Sequence, residues 1–416
     1  MVTFKKYSPP DKGETITLVD GRLEVPDNPI IPYVEGDGIG PDIMSTARHV
    51  LDAAVKTVYG GKRGIVWFEI FAGAKALERF DELIPEDTFN AIRHYHVALK
   101  GPLSTPVGKG FKSLNVTIRQ TLDLYACVRP VRYIPGTPSP VKHPEKVDMV
   151  IFRENTEDVY AGIEWPEGSK EALRIIELID KELNVKIPKD SGIGIKPISI
   201  TRTKRLMKKA IEYALAHKRK SITIVHKGNI MKFTEGAFRN WAYELAREEY
   251  GHCTVTAKQL TEGPGEGKQP GDKILVNDKI ADEMFRFVLM RPEECDVLVM
   301  PNLNGDYLSD ACNAQVGGIG IAPSANISDT MGVFESAHGS APKYAGQNKV
   351  NPSALTLSGG MLLEHLGWNE AAKCVVTAIG KTIAQKKVTY DLARQLEGAT
   401  ELSTSGFGDE VIKNMS

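Results

Sequence analysis

Short apolar runs alternate along this chain with stretches whose apolar residues recur at helical spacing. The runs at 29–34, 97–99, 147–152, 222–225 and 297–300 are brief and rich in Val, Ile and Leu, and predict buried strands. Helical spacing predicts helices over 203–216, 235–250 and 369–385. Another follows the first run, where Ile43, Ala47, Val50, Leu51, Ala54 and Val55 share one face behind Pro41, a residue favoured in a first helical turn. This alternation indicates an α/β protein with a mixed or parallel sheet and helices on both faces. The segment 135–144 carries too many prolines for a helix, and 262–271 reads as a polar surface loop.

A chain of 416 residues exceeds one simple core and predicts two or three domains, or one large α/β unit with insertions. Lys and Arg total 52 and Asp and Glu 53, a balance that argues against a nucleic-acid binder. Five scattered cysteines without a C-x-x-C pair fit a reducing compartment rather than a disulfide framework. No apolar run reaches the length of a membrane span, so the expectation is a cytoplasmic protein without a membrane partner.

Candidate chemistry begins with Asp306 and Asp310, which follow the run at 297–300. The reading is strand, glycine-containing turn at Gly305, then the first turn of a helix. Their i, i+4 spacing puts both carboxylates on one face. They are either ligands of a hard divalent cation at a strand's carboxyl end or an N-capping acid with a solvated neighbour. Asp282, in a helical pattern, could complete a carboxylate triad with them.

Arg119, Arg129 and Arg153 each sit within or end an apolar stretch, with Ser113 and Asn115 ahead of the first. A buried guanidinium needs an anion. Three together suit a substrate with several carboxylates; singly, each is explained by an internal salt bridge. Tyr160 follows an acidic segment expected to be a loop, as either a proton donor or a packing residue. Lys227 follows the run at 222–225 directly, as either a base entering a cleft or a snorkelling strand-end lysine.

The loop at 35–40 contains Gly36, Gly38 and Gly40 but does not match G-x-G-x-x-G, because residue 41 is proline. A dinucleotide would therefore not bind through the usual Rossmann loop. A second cluster offers a different place. His338 and Gly339 allow close backbone approach, and Lys343, Tyr344, Tyr390 and Arg394 supply two cations and two phenols. A 2′-phosphate needs such donors, whereas a 2′-hydroxyl is usually held by an acid, so this cluster favours NADP over NAD.

Together the motifs at 35–40, 100–108, 113–119, 152–165, 226–236, 302–310 and 338–346 resemble the β-decarboxylating dehydrogenases, the isocitrate/isopropylmalate dehydrogenase family. Within it they resemble the homodimeric bacterial and archaeal type that acts on isocitrate with NADP. The resemblance implies oxidative decarboxylation of isocitrate to 2-oxoglutarate. It implies isocitrate bound by Ser113, Asn115, Arg119, Arg129 and Arg153, and proton transfers by Tyr160 and Lys227. Asp282, Asp306 and Asp310 would hold Mg²⁺ or Mn²⁺. Ser104, His338, Gly339, Ser340, Ala341, Pro342, Lys343, Tyr344, Asn351, Tyr390 and Arg394 would hold NADP. Ser104 stands where relatives often carry Thr, and Ser340 is a similarly conservative variant.

The implied fold is not a Rossmann fold. It has a large domain (1–124 and 318–416) and a small domain (125–157 and 203–317) around a central cleft, with a clasp at 158–202. The implied assembly is a homodimer with shared active sites, in which Lys227 and Asp282 reach the partner's site. The alternatives are a homoisocitrate or isopropylmalate dehydrogenase, or a non-catalytic homologue that only binds isocitrate; intact Tyr160, Lys227 and three aspartates speak against the last.

Overall fold

The computed structural model describes residues 4–105, 113–262 and 270–415. The last residues of the 100–108 motif and most of the predicted loop at 262–271 lie outside them. The strand runs assemble into one eleven-stranded sheet. In chain order its strands are β1 (Ile30–Val34), β2 (Val66–Glu69), β3 (Val97–Lys100), β4 (Ala126–Arg132) and β5 (Asp148–Glu154). They continue with β6 (Ser221–His226), β7 (Thr254–Thr256), β8 (Ile274–Ile280), β9 (Val297–Met300), β10 (Pro323–Ile327) and β11 (Gly332–Ser336). The spatial order is β7-β8-β6-β9-β5-β4-β10-β11-β3-β1-β2. Both ends are parallel; the middle is antiparallel through β5-β4, β4-β10 and β10-β11. This is the mixed sheet that the alternation predicts.

The parallel ends are covered on both faces, as continuous apolar strands require. The relevant helices are α1 (Gly40–Tyr59), α2 (Leu114–Thr121), α3 (Ile200–Ala216), α4 (Glu235–Glu248), α5 (Ala281–Met290), α6 (Asn302–Gln315), α7 (Ser353–His365) and α8 (Asn369–Ala384). On β5, Val150 and Phe152 point to α3 and α4, while Met149 and Ile151 point to α5 and α6. At the other end Ile31, Tyr33, Val97 and Leu99 pack on α1, α7 and α8. Their neighbours Ile30, Val34 and Ala98 face Ile118 of α2. The period-two alternation of each strand thus splits the core into layers above and below the sheet. The segment 135–144 contains no α-helix; a short 3₁₀ turn begins only at its last residue, Pro144. Among the described residues no helix is long and apolar enough to cross a membrane.

The structure corrects one local expectation. Gly305 does not form a turn before the helix: α6 already starts at Asn302, with Gly305 buried inside its first turn. A Cβ there would lie 2.5–2.6 Å from Cγ and Cβ of Arg153. The glycine serves close approach of the helix to that arginine, not chain reversal.

The glycine loop at 35–40 is held the same way. Gly38 has φ +61°, and a Cβ on it would meet the Ser340 carbonyl oxygen at 2.1 Å. Gly101, at the end of β3, would place a Cβ 1.9 Å from the Glu35 carbonyl oxygen. Backbone cannot yield there as a side-chain tip can. Gly101→Ala is therefore expected to destabilise the protein by about 3 kcal/mol or more, read as a lowered denaturation midpoint; a change within ~0.5 kcal/mol would contradict this packing.

Candidate active site

The three arginines converge where the two ends of the sheet meet. Arg129 lies on β4, Arg153 on β5, and Arg119 on α2. Their fields overlap at Cys127: burial raises its thiol pKa, but Arg129, Arg119 and Arg153 together outweigh burial and lower it. Arg153 is 1% exposed. Its own pKa is lowered by burial and then by repulsion from Arg129 and Arg119.

Each guanidinium has a partial partner set. Arg153 Nε donates to Asn302 Oδ1 (2.9 Å) and its Nη1 pairs with Asp306. Arg129 Nη1 donates to Ser309 Oγ (2.5 Å) and stands 3.5 Å from Asp310 Oδ1. Arg119 Nη2 donates to Glu335 Oε1 (2.7 Å). The Nε atoms of Arg119 and Arg129 are buried without a hydrogen-bond partner. Such donors are costly to leave unpaired, and the cluster thus has donors free to take an acceptor from outside the chain.

Asn115 belongs to the same group. It accepts from Lys100 Nζ (3.0 Å), and Lys100 pairs with Glu335 Oε2 at 2.5 Å. Ser113 caps α2, accepting weakly from Val116 N at 3.5 Å. Lys100 and Glu335 are site residues that sequence reasoning did not single out. Each sits on a buried strand inside an apolar run, and that placement was their only signal. Glu335 accepts also from Asn326 Nδ2 (2.6 Å). Burial raises its carboxyl, but Lys100 and Arg119 hold it well below the usual carboxylate range.

Tyr160 lies in a short 3₁₀ turn, Asp158–Ala161. Its hydroxyl donates to Asp306 Oδ2 (2.6 Å), and its ring lies 4.9 Å from the Arg153 guanidinium carbon. Burial and the Asp306 carboxylate push its pKa to about 12, so the phenol stays protonated through the neutral range. Burial raises Asp306, but Arg153 and the Tyr160 hydroxyl outweigh it and lower the carboxyl. The acidic segment before Tyr160 is not a solvated loop: residues 154–158 are all buried. Asp158 there pairs with Lys196 (2.5 Å) and accepts from Leu303 N (2.9 Å), tying the segment to α6.

Asp306 and Asp310 offer carboxylate oxygens one helical turn apart, the donor type a hard divalent cation takes. Asp282 is not brought to them: among the described residues no group of three or more His, Cys, Asp or Glu is placed to hold a metal. Asp282 instead pairs with the Lys227 ammonium. The Lys227 main-chain N–H donates to Glu235 Oε2 (2.5 Å), which also accepts from Asn304 Nδ2 (2.9 Å). Lys227 is thus anchored beside α6 through its main chain, while its ammonium is taken by Asp282. Glu235 was missed because a first-turn glutamate looks like an ordinary helix-start acid.

The second cluster forms a separate cavity of 260 Å³, lined by His338, Gly339, Ala341, Tyr344, Asn351 and Tyr390 among others. Burial lowers the His338 pKa. Its Nε2 is buried and has no partner, as suits a ring nitrogen awaiting a base. Ala341 has φ +36° and leads into the 3₁₀ turn Pro342–Tyr344. The Tyr344 and Tyr390 rings lie 5.6 Å apart. Lys343 stands over the Tyr344 ring, and Lys349, a cation not anticipated, over that of Tyr390, each at 4.8 Å. Arg394 is exposed beside them, its Nε donating to the Asp391 carbonyl (3.3 Å). Asn351 Nδ2 donates to Asp391 Oδ2 (3.1 Å). Ser104 joins through a 2.5 Å contact between its hydroxyl and that of Ser340. The arrangement fits a dinucleotide with an extra phosphate.

The Glu335 ion triad makes a stability prediction. Glu335→Gln leaves Lys100 and Arg119 facing a neutral amide, an expected loss of about 3–5 kcal/mol. The wild-type contribution is present above the ordinary glutamate pKa and is lost as pH falls through the lowered folded value. Acid unfolding of the variant is therefore expected to be flatter below pH ~4.5, and an unchanged acid limb would refute this.

Comparison with known proteins supports the same grouping. Residues 30–411 match the isocitrate/isopropylmalate dehydrogenase family. The isocitrate dehydrogenase [NADP] of Archaeoglobus fulgidus is 57% identical over 412 residues, covering 99% of both chains. That of Coxiella burnetii is 56% identical, covering 100% of this chain and 98% of its own. Among solved structures, isocitrate dehydrogenase from Methylococcus capsulatus aligns with TM-score 0.77 at 34% identity, over 93% of this chain and 99% of that one. With most of its length matched at this level, the chain belongs to the isocitrate/isopropylmalate dehydrogenase family.

Proposed function

We propose that this chain is an NADP-dependent isocitrate dehydrogenase, which oxidises isocitrate and releases CO₂ to give 2-oxoglutarate. The observation that carries the reading is the buried arginine group, with two unpartnered Nε–H donors beside a carboxylate pair and a protonated phenol. Isocitrate brings three carboxylates to such a group, and full-length relatives of this chain carry that activity by name.

In this reading Arg119, Arg129 and Arg153 hold the substrate carboxylates, with Ser113 and Asn115 donating from the start of α2. Asp306 and Asp310 hold Mg²⁺ or Mn²⁺ in one protomer, and Asp282 supplies a third carboxylate from the other. When bound, the ion supplies Lewis acidity at the C2 oxygen. Lys227 of the partner protomer assists removal of the C2 hydroxyl proton as hydride passes to NADP. Tyr160, protonated and next to the arginines, delivers a proton to C3 after CO₂ departs. The assembly in this reading is a homodimer with shared active sites, in which Lys227 and Asp282, paired with each other in the single chain, reach the partner's site. In the same reading the chain divides into a large domain (1–124 and 318–416) and a small one (125–157 and 203–317), with β4 in the small domain paired to β10 in the large one. Residues 158–202 project from the small domain as a clasp, and closure of the cleft would exclude water from the decarboxylation step. The enzyme works in the cytoplasm, where its five unpaired cysteines are stable.

The test is NADPH formation with Mg²⁺, comparing isocitrate, isopropylmalate and homoisocitrate, each with NADP or NAD. Turnover of isocitrate with NADP is expected; preference for another acid would reassign the substrate, and no turnover would overturn the reading. Tyr160→Phe is expected to lower kcat by about 10²–10⁴-fold, with the isocitrate KM changed far less. A variant with near-normal kcat would remove Tyr160 from proton transfer. The double variant Lys343→Gln/Arg394→Gln is expected to raise the NADP KM by about tenfold or more, since a hydrogen bond to a charged group is worth ~1.5–3 kcal/mol. The NAD KM should move little, and equal losses for both coenzymes would contradict the 2′-phosphate assignment.

A further inference from the structure

A second cavity lies at the seam of the sheet, away from the arginine cluster. On β4, Arg129 points toward α6, so the alternation of the strand turns Pro130 and Arg132 to the opposite face. There they meet α3, α7 and α8 around a cavity of 430 Å³, within the usual range of small-molecule sites. Its walls come from both ends of the sheet: Tyr213 from one, Leu357 and Met361 of α7 from the other.

The lining is chemically specific. The Tyr213 and His217 rings stack with centroids 3.9 Å apart and planes 25° apart, giving a flat aromatic wall. Leu357, Met361 and Val376 supply aliphatic surface. Three polar groups are underused. Arg132 stands 3.7 Å from Asp148, a carboxylate already engaged by Arg219 at 2.8 Å. Lys373 lines the cavity and has no ion pair among the described residues. Asn313 lines it too, is 1% exposed, and its Nδ2 has no hydrogen-bond partner. A cavity with an apolar body, spare cations and an orphaned amide donor is unlike the packing voids of a core, which are apolar and small.

The geometry points to this cavity as a second binding site, for a small monocarboxylate with a flat apolar body, distinct from the isocitrate and NADP sites. The carboxylate takes Arg132 or Lys373 at the rim, the ring lies against Tyr213 and His217, and an acceptor on the ligand satisfies Asn313. Its occupant touches both ends of the sheet. The pair His217–Glu364, 3.9 Å apart, joins the cavity's two sides.

The probe is 2-naphthoate, with its uncharged methyl ester as control, titrated calorimetrically into the full-length protein saturated with isocitrate product and NADP. Saturable naphthoate binding and at least about tenfold weaker ester binding are expected. Arg132→Gln, on an exposed side chain, should weaken the acid severalfold and leave the ester unchanged. Gly360 lines the cavity and a Cβ there meets only Val375 Cγ1 at 3.9 Å, so Gly360→Leu starts from an unobstructed Cβ and extends into the cavity. It should abolish binding while kcat with isocitrate stays normal, which also shows that the variant is folded. Naphthoate binding unaltered by Gly360→Leu, binding to the acid and ester alike, or no saturable binding at millimolar probe would each overturn the proposal.

Discussion

Buried positive charge is the constraint around which this molecule is arranged. Lys100, Arg129 and Arg153 are each no more than 4% exposed, and Arg119 lies in the same interior. Removing such groups from water is tolerable only if anions come with them. Inside the chain the fully buried counter-charge is Glu335; Asp306 is partly open and Asp310 more so. The deficit sets the rest. It explains why two guanidinium Nε atoms stay unpaired, why a thiol in their midst is acidified, and why a multiply charged anion is the natural complement. A cation bound at Asp306 and Asp310 would take up part of the same carboxylate charge, so anionic substrate and metal belong together in one electrostatic unit.

The sheet distributes this unit. Arg129 and Arg153 come from the antiparallel middle, Lys100 and Glu335 from the parallel strands next to it, and the aspartates from a helix laid across the strand ends. Because β4 and β10 are hydrogen-bonded, the buried charges on the two ends of the sheet are connected through one continuous sheet. The cluster around His338 is joined to the same frame through the glycine loop, whose Ile39 N–H donates to the Ser340 carbonyl at 2.9 Å.

Much of this was legible in the residues alone, and the exceptions have a common cause. The strand runs at 29–34, 97–99, 147–152, 222–225 and 297–300 all became strands, and the helix predictions were off only by a few residues at their ends. The arginines were recognisable because a charge ending an apolar run is conspicuous. Glu335 and Lys100 are equally conspicuous in retrospect, yet they partner each other across 235 positions, and no local pattern joins them. Gly305 was read as a turn because glycine usually is one; the reason it is not lies in Arg153, a residue remote in sequence. Asp282 was grouped with Asp306 and Asp310 by chemistry, and the single chain keeps it with Lys227 instead. Local periodicity carries elements; it does not carry which buried charges find each other.

The glycine inside α6 has a final consequence. Arg153 is gripped at two points: Asn302 takes its Nε and Asp306 one of its terminal nitrogens, four residues farther along the same helix. Gly305 lets the stem of the arginine pass between these grips. Four residues of helix rise about 6 Å, so the pitch of the helix acts as a ruler that fixes the plane of the guanidinium. A lysine at this position could reach one mark on that ruler but not both. The orientation of a buried guanidinium fork is thereby written into the most regular dimension a protein possesses, and a hydrogen atom in place of a methyl group is what keeps the scale readable.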